Sequence, residues 1–111
     1  MEPNILLVGR NISTLEILKD ELLKFNRSIV YANSDEQITS HLKNEKIDLI
    51  IVGAGLPTES RDELVAVIEK SAPKTELHIM ERTPGISPTS MIGYTNDKAV
   101  MWRMRNAMNK G

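Results

Sequence analysis

Three times in succession a short apolar run is followed by a segment with the spacing of an amphipathic helix, and a fourth apolar run follows the third helix. That alternation constrains the fold more than any other feature of the chain. Ile5-Leu6-Leu7-Val8, bounded by Asn4 and Gly9, reads as a strand buried on both faces. Ser13 and Glu16 stand at the spacing of a capping box, in which hydroxyl and carboxylate each satisfy an amide at a helix start. Leu15, Leu18, Leu22 and Phe25 then mark one face of the helix, with Glu16, Lys19, Asp20 and Lys24 on the solvated side.

The second unit begins with Ser28 to Tyr31 as a strand, and Ser34 and Gln37 repeat the capping spacing ahead of a helix whose inner face carries Ile38 and Leu42. Leu49-Ile50-Ile51-Val52 is the clearest strand, ended by Gly53-Ala54-Gly55. A helix from about Ser60 to Ser71 follows, with Leu64, Val67 and Ile68 inward, and Ala72-Pro73 stops it. Leu77 to Met80 reads as a fourth strand. Strands alternating with helices of this length predict right-handed crossovers and a parallel sheet.

The rhythm breaks after Met80. Residues 81–90 (ERTPGISPTS) hold two prolines and a glycine and do not suit a full helix. Met91 to Tyr94 reads as a fifth strand, parallel through an extended loop or else antiparallel or displaced to an edge, and Asp97 caps a last helix running to about Asn109. Composition narrows the function classes. The 111 residues (12.5 kDa) suit one domain, residues 1–111, able to bury its own core. Fifteen acids against fourteen bases give a net charge of -1, which argues against a nucleic-acid coat or a polybasic membrane binder. The absence of cysteine excludes disulfides, thiol catalysis and cysteine-ligated metals. No apolar stretch approaches the roughly 20 residues of a membrane span, and the first residues lack a signal-peptide pattern, so a cytoplasmic location is expected.

Two segments carry a family resemblance: NILLVGR at the first strand and KIDLIIVGAGLP at the third, where Pro57 stands four residues after Gly53. Over residues 4 to about 80 the chain resembles the receiver domain of two-component response regulators. The resemblance implies a flavodoxin-like, three-layer α/β/α fold with a parallel sheet of order 2-1-3-4-5. The fourth crossover helix would then be missing or replaced by a loop. It also implies where phosphoryl chemistry would reside, since receivers place a phosphoacceptor aspartate after the third strand and a pair of acids after the first. Those positions are Gly53, and Gly9 and Arg10. The family's hydroxyl residue after the fourth strand corresponds to Glu81, and its lysine after the fifth corresponds to Tyr94. Glycine has no carboxylate to phosphorylate, and arginine at a magnesium-ligand position repels the metal. The expectation is a degenerate, phosphorylation-independent receiver without cofactor or metal.

Several residues carry two readings. Arg10 and Glu81 would lie at the carboxyl edge of the sheet, on neighbouring strands in that order. They form either a weak, partly exposed pair or a contact that replaces the metal and locks one conformation. Gly9, Gly53 and Gly55 lack the third glycine or lysine of a nucleotide loop and read as turn glycines with positive φ. His41 and His78 have no metal-ligand spacing and read as structural. In the last helix Val100, Met101, Met104 and Met108 form an apolar stripe that should face the core, with Lys98, Arg103, Arg105 and Lys110 outside.

The functional expectation is a non-enzymatic interaction module in signalling or regulation, forming a homodimer or docking a protein through Met91, Tyr94, Met101, Trp102 and Arg105. The alternative is a small-anion or nucleotide binder using Gly9, Arg10 and Asn11 at the carboxyl edge. A nucleic-acid role for the last helix ranks third, because its bases are few and no helix-turn-helix accompanies them.

Overall fold

A computed structural model describes residues 2–81, 83–87 and 89–108. The elements run β1 (Asn4–Val8), α1 (Ile12–Leu23), β2 (Ser28–Ala32), α2 (Asp35–Asn44), β3 (Leu49–Val52), α3 (Thr58–Ser71), β4 (Glu76–Ile79) and α4 (Ser90–Met108). The strands form one parallel sheet in the order β2-β1-β3-β4. Alternate residues of the central strands serve two cores. Ile5, Leu7, Leu49 and Ile51 pack beneath α1 and α4, while Leu6, Val8, Ile50 and Val52 pack beneath α2 and α3. Both faces of β1 and β3 are covered, which is why their sequences are continuous apolar runs rather than alternating ones. Each such aliphatic side chain stabilises the fold by about 1.5–3 kcal/mol through its removal from water.

The helix boundaries follow local capping chemistry. Asn11, not Ser13, caps α1, its Oδ1 accepting from the Ser13 and Thr14 amides. Asparagine caps as well as serine, and starting earlier places Ser13 inside the first turn. The same helix ends in a Schellman arrangement. Asn26 takes φ 59, and the Asn26 and Arg27 amides donate to the Leu23 and Leu22 carbonyls. That turn leaves Phe25 exposed, against the expectation that it continues the inner face. Ser34 caps α2 as expected, its hydroxyl accepting from the Gln37 amide. Gln37 reaches back to the Asn33 amide.

The largest departure from expectation follows Met80. Residues 91–94 are helical, so among the described residues there is no fifth strand, and β4 is an edge of the sheet. The missing part is thus a strand as well as a crossover helix. The four-residue run was ambiguous in period. Burial resolves it, because Met91, Thr95 and Ala99 recur every four residues on one buried helical face. The helix packs beside α1 on the same side of the sheet. Asn109, expected to end it, and the base Lys110 lie outside the described residues.

Thr95 is fully buried and its Oγ1 has no hydrogen-bond partner among the described residues. Thr95→Val removes that orphaned hydroxyl at similar shape and is expected to raise stability by about 1 kcal/mol. Urea unfolding reads this as a higher midpoint at unchanged slope, and a lower midpoint would contradict it.

Candidate functional site

In a parallel sheet the crevice outside the carboxyl ends opens where strand order reverses, here between β1 and β3. The loops leaving those strands, Gly9-Arg10-Asn11 and Gly53-Ala54-Gly55, lie at one level, with the Gly9 amide bonded to Ala32 O and the Gly53 amide to Val8 O. Between them lies a cavity of about 330 Å³. Leu15 and Leu18 of α1 form one side, and Met80, Ile86 and Met91 the other. Arg10 is the one charged side chain on its lining among the described residues, with Asn11, Thr14 and Ser87 as polar groups.

The two glycines are there for space. A Cβ on Gly53 would meet Met91 Sδ at 3.1 Å, and one on Gly9 would meet Leu15 Cδ2 at 3.0 Å. Neither has positive φ, and neither does Gly55; among the described glycines only Gly85 does. The expectation of left-handed turn glycines is therefore corrected at all three positions. Where the resemblance implies carboxylates, the volume belongs to Leu15 and Met91.

Arg10 and Glu81 are both exposed, and no hydrogen bond or ion pair joins them among the described residues. The observed order β2-β1-β3-β4 and the expected 2-1-3-4-5 alike put β3 between the strands they leave, so they are not on neighbouring strands and the lock does not form. Tyr94 lies in α4, half-buried, with Lys98 Nζ 5.1 Å from its ring centre. Burial first, and the Glu81 charge second, push its hydroxyl above the usual tyrosine value.

The residues expected to form an interaction face separate. Met91 is buried in the core and Trp102 is half-buried. The stripe expected to face the core instead faces outward, with Met104 60% and Met108 79% exposed beside exposed Val100 and Met101. Thr95 and Ala99 supply the buried face, which turns the methionines to the opposite side.

Both arginines of this helix are occupied. Arg103 bonds Glu2 and Arg105 bonds Glu76, whose other oxygen receives His78 Nε2 at 2.6 Å. His41 likewise ties α2 to β2, with Glu45 on one ring nitrogen and Tyr31 O on the other. Arg27, not anticipated from sequence, is 8% exposed and holds Asn96 through Nε and Glu2 through a guanidinium NH. Its only local signal is a charged residue immediately after the Asn26 turn.

Burial alone would raise the Glu76 carboxyl. The hydrogen bonds and charges of Arg105 and His78 outweigh it and hold the carboxyl below its ordinary value. A depressed carboxylate contributes stability above the unfolded value, about 4.3, and loses it as pH falls through the folded value. The thermal midpoint of the parent should therefore drop more steeply below about pH 4 than that of Glu76→Gln. Parallel curves in calorimetry would contradict this.

No helix among the described residues is long and apolar enough to cross a membrane. No protein-family model matches the chain, and no curated protein sequence matches it. Among solved structures it is similar to a response regulator receiver protein from Pseudomonas putida, with TM-score 0.62 and 18% identity over 100% of this chain and 98% of that one. It is also similar to a de novo designed Rossmann fold protein, with TM-score 0.54 and 9% identity over 89% of this chain and 98% of the design. At such identities the likeness is one of fold. The chain has the parallel α/β architecture shared by receiver and Rossmann proteins, with four strands in the order 2-1-3-4.

Proposed function

We propose that this chain is a degenerate receiver-like module that takes no phosphoryl group and acts non-enzymatically in signalling, through contacts made by α4. The observation that carries the reading is Gly53. At the position corresponding to the receiver phosphoacceptor there is no carboxylate, and the Met91 sulfur stands 3.1 Å from where a Cβ would be. Phosphoryl transfer needs a carboxylate nucleophile and acids to hold magnesium, and the corresponding positions hold Gly53, Gly9 and Arg10 instead.

The contact surface is the outward stripe of Val100, Met101, Met104 and Met108. Methionines adapt to many partner shapes, and a stripe of this kind meets its own copy across a two-fold axis. Because Arg103 and Arg105 are bonded to Glu2 and Glu76, two such helices approach without the repulsion of free bases. The same pairing leaves Lys98 as the one base of α4 without an acid partner among the described residues, which is little charge for nucleic acid.

Sedimentation equilibrium of the parent chain should show a dimer, and Met104→Glu should shift it to monomer with an unchanged circular dichroism spectrum. Magnesium and acetyl phosphate should give no phosphorylated protein by mass spectrometry. A monomer at high concentration would overturn the self-association, and a stable acyl-phosphate adduct would overturn the loss of phosphotransfer.

A further inference from the structure

We propose that the carboxyl-edge crevice binds a small amphipathic carboxylate, with its apolar body among Leu15, Leu18, Met80, Ile86 and Met91 and its carboxylate on Arg10. The cavity, about 330 Å³, is at the lower end of the range of small-molecule sites, roughly 300–1,000 Å³. Like those sites it is mostly apolar, with a few polar groups that orient a ligand.

The polar groups select the head group. Arg10 is exposed at the rim and makes no side-chain hydrogen bond or ion pair among the described residues. One guanidinium presents a two-pronged donor that matches a single carboxylate. A phosphate dianion would need further donors. Two of the first-turn amides of α1 that commonly supply them, those of Ser13 and Thr14, already donate to Asn11 Oδ1. A nucleotide is disfavoured for a second reason, because among the described residues no aromatic side chain lines the crevice for a base to stack on. The anion expected here from sequence is thus recast as the head of a mainly apolar molecule.

Met91 and Met80 give the walls adjustable shape, since unbranched thioether side chains change rotamer at low cost. Binding here and self-association through α4 are separate properties, and each can fail without the other.

The test uses the full chain carrying ¹³C-methyl methionine, titrated with octanoate, octylamine or inorganic phosphate. Octanoate should move the Met80 and Met91 methyl signals saturably, whereas octylamine and phosphate should not. Arg10→Gln, a change at an exposed side chain, should weaken octanoate about tenfold through loss of the charge-assisted contact. Ala54→Leu, which fills the crevice from its lining, should remove the effect. Octylamine binding as well as octanoate, or an unchanged affinity in Arg10→Gln, would refute the carboxylate subsite. Shifts confined to Met101, Met104 and Met108 would mean adsorption on the outer face of α4 and would refute the crevice itself.

Discussion

Gly53→Asp is expected to lower stability by about 3 kcal/mol and not to create a phosphoryl acceptor. Gly53 is buried at the end of β3, and its amide donates to the Val8 carbonyl. The new Cβ would meet Met91 Sδ at 3.1 Å and Val8 O at 3.5 Å. The side chain therefore has to displace a methionine and then place a carboxylate beside a carbonyl oxygen, in a pocket built from apolar walls. The steric part is the smaller one, because Met91 can rotate away. The desolvated charge dominates. Gly53→Ala should accordingly cost much less. The double change Gly53→Asp with Met91→Ala should fall below the sum of its parts, because the two sites share one contact. Urea unfolding of the parent, Gly53→Ala, Gly53→Asp, Met91→Ala and the double variant, with acetyl phosphate labelling of each, separates these effects. A Gly53→Asp protein as stable as the parent would show that the edge retains room and polarity for a receiver carboxylate.

Arg27→Ala should cost about 2–3 kcal/mol. The guanidinium is 8% exposed and joins two distant parts of the chain, Asn96 on α4 at 2.8 Å and Glu2 at 2.7 Å. Its removal deletes two hydrogen bonds involving a charge and the packing of its stem. It also loosens the hold on Glu2, which Arg103 then keeps alone. Arg27→Lys should recover little, since one ammonium does not reproduce the fork that meets both partners. The expected signature is a lower unfolding midpoint together with faster amide exchange along α4. A lysine variant as stable as the parent would reduce Arg27 to a simple charge.

The parts of the fold that were legible depend on near neighbours. The apolar runs of β1 and β3 announce strands covered on both faces, and Leu15, Leu18, Leu22 and Ile38 are buried where periodicity puts them. Ser34 caps its helix where the spacing says. Errors arose where two local solutions have similar energies. Asn11 and Ser13 are both good caps two residues apart. Residues 91–94 are too short a run for period to separate strand from helix. Periodicity marks the methionine stripe but gives it the opposite direction. A stripe in a terminal helix does not say which of its sides the sheet requires, and Thr95 and Ala99 took that place.

The candidate site was half legible. That Gly9, Arg10 and Gly53 stand where the resemblance implies acids is a property of residue identity and register alone. The alternation of strand and helix by itself determines a parallel α/β sheet, because each buried run needs helices on both of its faces. Tertiary structure alone decided that Leu15 and Met91 occupy the space above those glycines and that a crevice remains beside them. It also decided that Arg27 closes on partners 25 and 69 positions away. The physical reason is range. Periodicity and capping are set within a few residues, whereas the path of α4 is set by which face of a finished sheet still lies uncovered.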